Sequence, residues 1–80
     1  MIRDKIYAII RDVFAQPALS VSDTTTAADV EGWDSFNHMT LIMRIEEEFA
    51  ISFATEEIGR MAHVGELIEA VRTKKGVSSA

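Results

Sequence analysis

The stretch "GWDSFNHMTLIMRIEEEFAISF", residues 32–53, contains the pattern that decides the fold of this chain. Its apolar residues recur every three or four positions, which indicates one long helix from Ser35 to Ala50. On a helical wheel of about 100° per residue, with Phe36 at zero, one apolar face lies between about 140° and 240° and is expected to face the core. That face consists of Leu41, Ile42, Ile45 and Phe49.

A second apolar stripe lies on the same helix, between about 300° and 0° on the wheel. It consists of Phe36, Met39, Met43 and Ala50, with Glu46 between the two stripes and Glu47 at the outer edge. A helix in a chain of 80 residues can hardly bury both stripes, so the second is predicted to be an exposed docking surface. The alternative is a bundle wide enough to bury both.

The predicted start of this helix carries two adjacent side chains that favour helix caps, Asp34 and Ser35. Asp34 is predicted to be the N-cap, which accepts from backbone N–H groups of the first turn. Ser35 then has a free hydroxyl that points outward, where an attached phosphate would lie beside the positive end of the helix dipole. A nucleophilic role for Ser35 is disfavoured, because no Gly-x-Ser-x-Gly motif surrounds it and His38 is predicted to lie toward the core side.

The N-terminal part of the chain predicts one helix followed by a long loop. Apolar residues follow a single helical face from about residue 3 to residue 15, and Pro17 ends the helix because the residue before a proline leaves helical backbone angles. Residues 17–33 have neither helical nor strand periodicity. A loop of this length is uncommon unless it has a function or packs its own side chains. Four residues are available for such packing: Leu19, Val21, Val30 and Trp33.

The C-terminal part predicts a short helix and a longer last helix. Thr55 is expected to cap the short helix. The buried side of the short helix is expected to consist of Ile58, Met61 and Ala62. Apolar residues repeat at helical spacing from Val64 to Val71, and the basic residues and glycine at 74–76 favour a helix end. The fold class is therefore all-α: a four-helix bundle of three main helices and a short third one, with a domain of residues 1–73 and a disordered tail of residues 74–80.

Composition narrows the classes of function. The chain has no cysteine and a formal net charge of −5, which argues against disulfide or thiolate chemistry and leads us to expect a cytoplasmic location. Residues 23–57 contain nine acidic residues and one basic residue, Arg44. Such a surface disfavours nucleic acid and favours partners with basic patches, although an ordinary solvated face is the alternative. Charges interrupt the apolar residues of the N-terminal helix, so no signal peptide or membrane insertion is expected.

A metal site is not predicted. A calcium loop that starts at Asp23 would need glycine at its sixth position and glutamate at its twelfth, where this chain has Ala28 and Asp34. His38 and His63 are not at the spacing of a metal-binding pair. We also predict no catalytic residue.

The quoted stretch resembles the region of acyl carrier proteins that contains the Asp-Ser-Leu modification motif. In those proteins the motif is followed by a helix that ends in Leu/Ile-Glu-Glu-Glu-Phe, as "RIEEEF" does at residues 44–49. The similarity extends over nearly the whole chain, since "VGEL" at residues 64–67 resembles the usual opening of the last helix. The resemblance therefore implies the four-helix fold of these carriers.

The resemblance also implies a carrier and not an enzyme. Ser35 would receive a 4′-phosphopantetheine arm from coenzyme A through a separate Mg²⁺-dependent phosphopantetheinyl transferase, and Asp34 matches the adjacent acid of the motif. The thiol of the arm would carry acyl or aminoacyl groups as thioesters. The docking candidates for basic patches of partner enzymes are Phe36, Met39, Met43, Glu46 and Glu47.

Three residues depart from the family pattern: Phe36 replaces leucine, Trp33 precedes the motif, and Arg44 interrupts an acidic helix. The pathway, whether fatty acid, polyketide or more specialised, and the carried group are therefore open. The expected partners are the transferase and enzymes that load or transfer acyl or aminoacyl groups, and the chain is expected to be a monomer. The alternative function is a small helical adaptor that binds partners through the same helix face without modification.

A carried chain could also be sheltered inside the bundle. It would have to enter between helices, and adaptable or small residues would permit this. The candidates are Met43, Met61 and Ala62.

Overall fold

The computed structural model describes residues 2–61 and 63–76. Within these two ranges the α-helices are α1 (Ile2–Val13), α2 (Ser35–Phe49), α3 (Thr55–Arg60) and α4 (Val64–Lys75), and a 3-10 turn lies at Ala27–Asp29. Within the described ranges, extended pairing is limited to an isolated bridge between Thr26 and His63. The prediction of an all-α bundle with a short third helix and a long connection between the first two helices is confirmed.

The core lies between the three longer helices. The predicted inner face of α2 is confirmed, because Leu41, Ile42, Ile45 and Phe49 are all buried. α1 and α4 supply the other buried side chains of this cluster: Ile6, Ile9, Ile10, Val64, Leu67, Ile68 and Val71. Aliphatic residues at helical spacing thus give each of the three helices one buried stripe, which is the pattern of an amphipathic helix in a small bundle.

Helix α1 ends at Val13 and not at the predicted residue 15. Ala15 adopts a left-handed backbone conformation with φ +53°, which is incompatible with a continued right-handed helix. The chain turns here through hydrogen bonds from Ala15 N–H to Asp12 O and from Gln16 N–H to Arg11 O. The helix therefore stops before the constraint imposed by Pro17 takes effect.

The long loop is attached to α1 and α4 through Asp23. The Asp23 carboxylate accepts from Arg3 Nε at 3.1 Å, from Arg3 Nη2 at 2.9 Å and from the Tyr7 hydroxyl. Its backbone carbonyl accepts from Gly65 N–H at 2.7 Å. A Cβ atom on Gly65 would lie 3.1 Å from that carbonyl oxygen, so glycine permits a close approach here.

The loop also packs its own side chains, as predicted. Val30 is buried. Leu19, Val21 and Trp33 are partly buried against the core. These contacts explain how a connection of this length is held in a compact domain.

One predicted detail of the C-terminal part is wrong. Ala54 and not Thr55 is the N-cap of α3, because the Glu57 carboxylate accepts from Ala54 N–H at 2.7 Å and fixes the helix start one residue earlier. The predicted end of the last helix at residues 74–76 is confirmed, since α4 continues to Lys75 and Gly76 ends it with φ +77°. Lys75 Nζ donates to Phe49 O at 3.1 Å, which ties this last turn to the end of α2.

Some predictions fall on residues that the structure does not describe. Ala62, predicted on the buried side of the short helix, and residues 77–80 of the predicted tail lie outside the described residues. Within the described part of the chain, every helix is too short or too polar to cross a membrane.

Candidate functional site

The start of α2 is fixed by a hydrogen-bonded N-cap. Asp34 lies in extended backbone, and its carboxylate accepts from Asn37 N–H at 2.9 Å. The Asn37 side chain in turn donates from Nδ2 to Gly32 O at 2.7 Å. Gly32 has φ +89°, a conformation that favours glycine, and it turns the loop into the helix. The predicted N-cap role of Asp34 is confirmed.

Ser35 is the first residue of α2, and its side chain is exposed. Within residues 2–61 and 63–76, its hydroxyl has no hydrogen-bond partner. This free hydroxyl follows from the cap, because Asp34 already supplies the acceptor that the first turn requires. A group attached to the oxygen of Ser35 could therefore extend into solvent without displacing an internal contact.

An open cleft of about 520 Å³ lies beside Ser35, between the first turns of α2 and the short helix α3. Its lining consists of Ala27, Trp33, Asp34, Ser35, His38, Met39, Ile58, Gly59 and Met61. Of the residues considered for sheltering a carried chain, Met61 lines this cleft and Met43 does not. The cleft is largely apolar at its walls and carries the polar groups of Asp34, Ser35 and His38 at its edge.

His38 does not pair with Ser35. Its Nδ1 accepts from Trp33 Nε1 at 3.0 Å, and its Nε2 lies 3.2 Å from Ile58 O. The indole N–H can only donate, so Nδ1 must be the acceptor and the ring proton must lie on Nε2, which donates to the carbonyl. Both ring nitrogens are thus engaged, and His38 cannot serve as a base for the serine in this arrangement.

The sequence placed His38 correctly on the inner side of α2 but did not identify its partners. Trp33 lies in the loop, stacked on Phe14 with ring centroids 5.2 Å apart and beside His38 with centroids 6.1 Å apart. These contacts depend on how the end of α1, the loop and α3 pack together. In the sequence, Trp33 and His38 are five residues apart. This spacing predicts no contact between the two side chains unless the conformation of the loop is known.

The second apolar stripe of α2 is exposed, as predicted. Phe36 retains 78% of its accessible surface, Met39 44% and Met43 58%. Ala50, the fourth member, is the left-handed C-cap of the helix with φ +56° and is also exposed. A run of large apolar side chains on one face of a small protein is typical of a surface that contacts a partner.

The acidic residues of α2 differ in what they contact. Glu47 is exposed, with no internal partner among the described residues. Glu46 instead accepts from Phe53 N–H at 2.8 Å, and its carboxylate holds the connection between α2 and α3. Glu48 accepts from Lys5 Nζ at 2.9 Å, and this lysine lowers the pKa of Glu48. Glu46 is therefore a structural residue as well as a docking candidate.

Arg44 is paired within the bundle. Its guanidinium lies 2.9 Å from the Asp12 carboxylate of α1. Arg44 differs from the acidic pattern of α2, and its positive charge is paired with Asp12 on a neighbouring helix. The exposed face of α2 keeps its negative character around Glu47.

The aspartates of the rejected calcium loop have other partners. Asp23 binds Arg3 and Tyr7, and Asp34 caps α2. Asp29 accepts from the backbone N–H of Thr26 at 3.0 Å. Among the residues that the structure describes, no group of three or more His, Asp or Glu side chains is arranged to hold a metal ion.

Comparison with protein-family models matches residues 4–71 to a family described as "Phosphopantetheine attachment site". The matched range includes Asp34, Ser35, the whole of α2 and the cleft. It covers most of the chain.

Individual proteins show the same similarity. The chain is 31% identical over 72 residues to an acyl carrier protein of Clostridium acetobutylicum, which covers 90% of this chain and 94% of that protein. It is 31% identical over 75 residues to an acyl carrier protein of Solidesulfovibrio magneticus, with 94% and 96% covered. The solution structure of a holo acyl carrier protein from Geobacter metallireducens is similar at a TM-score of 0.86 and 34% identity, over 92% of this chain and 85% of that one.

Proposed function

The chain belongs to the family of acyl carrier proteins, and from that premise we propose that Ser35 is the residue to which its 4′-phosphopantetheine group is attached. The protein is a carrier that bears this group covalently. The group supplies a thiol on which acyl groups are held as thioesters. Attachment at Ser35 would form a phosphodiester bond to the hydroxyl oxygen, with a phosphopantetheinyl transferase as enzyme. The hydroxyl would lose its proton, the pyrophosphate bond of coenzyme A would break, and adenosine 3′,5′-bisphosphate would leave.

The observation that carries this proposal is the free, exposed hydroxyl of Ser35 at the first position of α2. The unpaired N–H groups and the dipole at a helix start favour a phosphate there. Asp34 accepts from Asn37 N–H, so the helix start remains formed whether or not the hydroxyl is modified. The cleft beside Ser35 offers room for an attached group. These features provide both favourable electrostatics and sufficient space for a 4′-phosphopantetheine group.

A peptide map tests the assignment. The protein is incubated with coenzyme A, Mg²⁺ and a phosphopantetheinyl transferase, then cleaved after lysine and arginine. The relevant peptide, residues 12–44, contains three serines: Ser20, Ser22 and Ser35. Fragmentation should place the mass of one arm on Ser35. An arm on Ser20 or Ser22, or on no residue of this peptide, would contradict the proposal.

The exposed stripe of α2 supports a second proposal, a docking surface for partner enzymes. Phe36, Met39 and Met43 supply apolar area, and Glu47 supplies negative charge for a basic patch. Glu46 contributes charge from the edge of this surface while it holds Phe53 N–H. The partners are phosphopantetheinyl transferase and enzymes that load or transfer acyl or aminoacyl groups.

The chain itself is proposed to have no catalytic activity. Acyl carrier proteins are carriers rather than catalysts. His38, the histidine closest to Ser35 in the sequence, is engaged with Trp33 and Ile58. The absence of cysteine supports a cytoplasmic location, and we propose that the carrier acts as a monomer. An unmodified adaptor is not favoured, because the family that matches residues 4–71 is described by phosphopantetheine attachment.

A further inference from the structure

A bridge of two hydrogen bonds joins α2 to α3 and to the loop before α2, among the residues that line the cleft. Trp33 Nε1 donates to His38 Nδ1 at 3.0 Å, and His38 Nε2 donates to Ile58 O at 3.2 Å. Both bonds are partly buried. We call these contacts the Trp33–His38–Ile58 bridge.

The bridge is supported from the side of α1. The Phe14 ring stacks on the Trp33 indole, with ring centroids 5.2 Å apart. The His38 ring lies beside the indole, with centroids 6.1 Å apart and the two rings joined edge to edge by the hydrogen bond. Three aromatic rings thus form one continuous layer from the end of α1 to the first turns of α2. Stacked rings restrict each other's rotation, so the indole N–H stays aimed at the imidazole.

The core begins directly behind this layer. Leu41 and Ile42, the next inward residues of α2 after His38, are 0% and 1% exposed. A chain that entered the core from Ser35 between α2 and α3 would have to separate the two helices and break the bond between His38 and Ile58. Entry would leave the indole N–H, the imidazole and the carbonyl partly buried without partners, which is unfavourable.

The gain from entry depends on the length of the carried chain, because the free energy of burial grows with the apolar surface removed from water. For chains up to octanoyl, we expect the cost of separating α2 from α3 and breaking the bridge to exceed this gain. An aminoacyl group would in addition have to bury a charged amine. The open cleft, with the polar edge of Asp34 and His38, accepts both kinds of group without any rearrangement.

We propose that Trp33 and His38 are specificity-determining residues, whose bridge to Ile58 keeps the carried group in the open cleft and so suits this carrier to short acyl or aminoacyl groups. This inference rests on attachment at Ser35. It adds to that proposal the class of carried group and the residues that select it. Long alkyl chains are the class that the bridge disfavours.

The test loads the protein with butanoyl or octanoyl arms, transferred from the corresponding acyl-coenzyme A by a phosphopantetheinyl transferase. The intact mass is read first. The methyl chemical shifts of Ile42 and Ile45 are then compared with those of the unacylated holo protein. In the wild type, both loaded forms should show unchanged core methyls. In His38→Leu, which lacks both hydrogen bonds, the octanoyl form should show shifted core methyls and the butanoyl form should not.

Three further variants separate the bridge from general loosening of the fold. Trp33→Phe keeps an aromatic ring but removes the indole donor, so it should behave like His38→Leu to a lesser degree. His38→Gln retains a side-chain donor for Ile58 O and should restore the wild-type result. Thr40→Ala, which removes a hydroxyl bonded only to Phe36 O of its own helix, should leave the result unchanged.

Two results would overturn the inference. Octanoyl-induced shifts of the core methyls in the wild type would mean that the bridge does not exclude an alkyl chain. Unchanged core methyls in both His38→Leu and Trp33→Phe would mean that these residues are not what excludes it. A peptide map of the loaded protein, which locates the arm on Ser35 or on another residue, distinguishes these results from a failure of attachment at Ser35, which would overturn both proposals.

Discussion

The carboxylate of Asp34 accepts a hydrogen bond of 2.9 Å from the backbone N–H of Asn37, and this bond defines where α2 begins. Ser35 lies between the two residues and takes no part in the cap. The cap and the hydroxyl proposed for modification thus belong to neighbouring residues. This division allows the helix start to remain intact while a group is attached beside it.

The cap predicts a difference between two substitutions of Asp34. Asp34→Ala should lower the free energy of unfolding by about 1 kcal/mol, because Asn37 N–H loses its acceptor. Asp34→Asn should be close to the wild type, since an asparagine oxygen can also accept this bond. Urea denaturation of the three proteins measures the difference. Equal stability of Asp34→Ala and the wild type would show that the carboxylate does not act as a cap.

The exposed stripe of α2 predicts a loss of partner binding without a loss of stability. Phe36 and Met43 are 78% and 58% exposed, so Phe36→Ala and Met43→Ala should leave the urea midpoint nearly unchanged. In arm transfer, the KM for the carrier should rise by up to about tenfold if these side chains are anchors of the interface. The kcat should change little. An unchanged KM in both variants would exclude the stripe from the contact with the transferase.

The contribution of Glu47 to this surface can be tested against a matched control substitution. Glu47→Gln should raise the KM and weaken its dependence on salt, because an exposed charge mainly affects the rate of association. Glu69 is an exposed glutamate on α4, and Glu69→Gln removes the same charge away from the stripe. Equal effects of the two substitutions would show that only the net charge matters.

Substitution of Glu46, unlike that of Glu47, should lower the stability of the fold. Its carboxylate accepts from Phe53 N–H at 2.8 Å, so Glu46→Ala should lower the free energy of unfolding by about 1 to 3 kcal/mol, as expected for a lost hydrogen bond to a charged group. Glu47→Ala is the neighbouring control and should change stability by less than about 0.5 kcal/mol. If the two variants were equally stable in urea, the bond to Phe53 would contribute nothing.

The lowered pKa of Asp23 predicts that the fold loses stability in acid. The Arg3 guanidinium and then the Tyr7 hydroxyl, both hydrogen-bonded to the carboxylate, lower the pKa of Asp23 from 3.8 to about 2. A pKa that is lower in the folded state than in the unfolded state stabilises the fold above the unfolded pKa. This contribution is lost as the pH falls from 3.8 toward 2.

The comparison that isolates this group is wild type against Asp23→Asn. The urea midpoint of the wild type should fall more steeply between pH 4 and pH 2 than that of the variant. Glu48 and Glu57 also have lowered pKa values, so both proteins will lose some stability in acid. Parallel curves would show that the link between Asp23 and Arg3 does not stabilise the fold.

The sequence predicted the parts of the structure that local periodicity determines. The two stripes of α2 followed from helical spacing alone, and Asp34 was recognisable as a cap because it precedes the first apolar residue of the helix. The end of α1 was placed two residues too late because the left-handed turn at Ala15 has no local sequence signal such as glycine or asparagine.

Contacts between distant segments could not be predicted in this way. The hydrogen bond from Glu46 to Phe53, the cap at Ala54 and the Trp33–His38–Ile58 bridge each depend on how a loop returns to a helix. In the sequence, Glu46 lies at the boundary between the two stripes, where a helical wheel assigns neither burial nor exposure. The wheel places His38 on the inner face of α2 but does not identify its partners. The tertiary fold decides their partners.

The central claim is that the hydroxyl of Ser35 carries the arm, and the intact mass of two serine-to-alanine variants tests it most directly. Ser52 is exposed in the connection after α2, so Ser52→Ala removes a comparable hydroxyl elsewhere in the same protein. After incubation with coenzyme A, Mg²⁺ and a phosphopantetheinyl transferase, the wild type and Ser52→Ala should each gain the mass of one arm, and Ser35→Ala should gain none while it keeps its helical circular dichroism spectrum. A folded Ser35→Ala protein that still gains one arm would contradict the account.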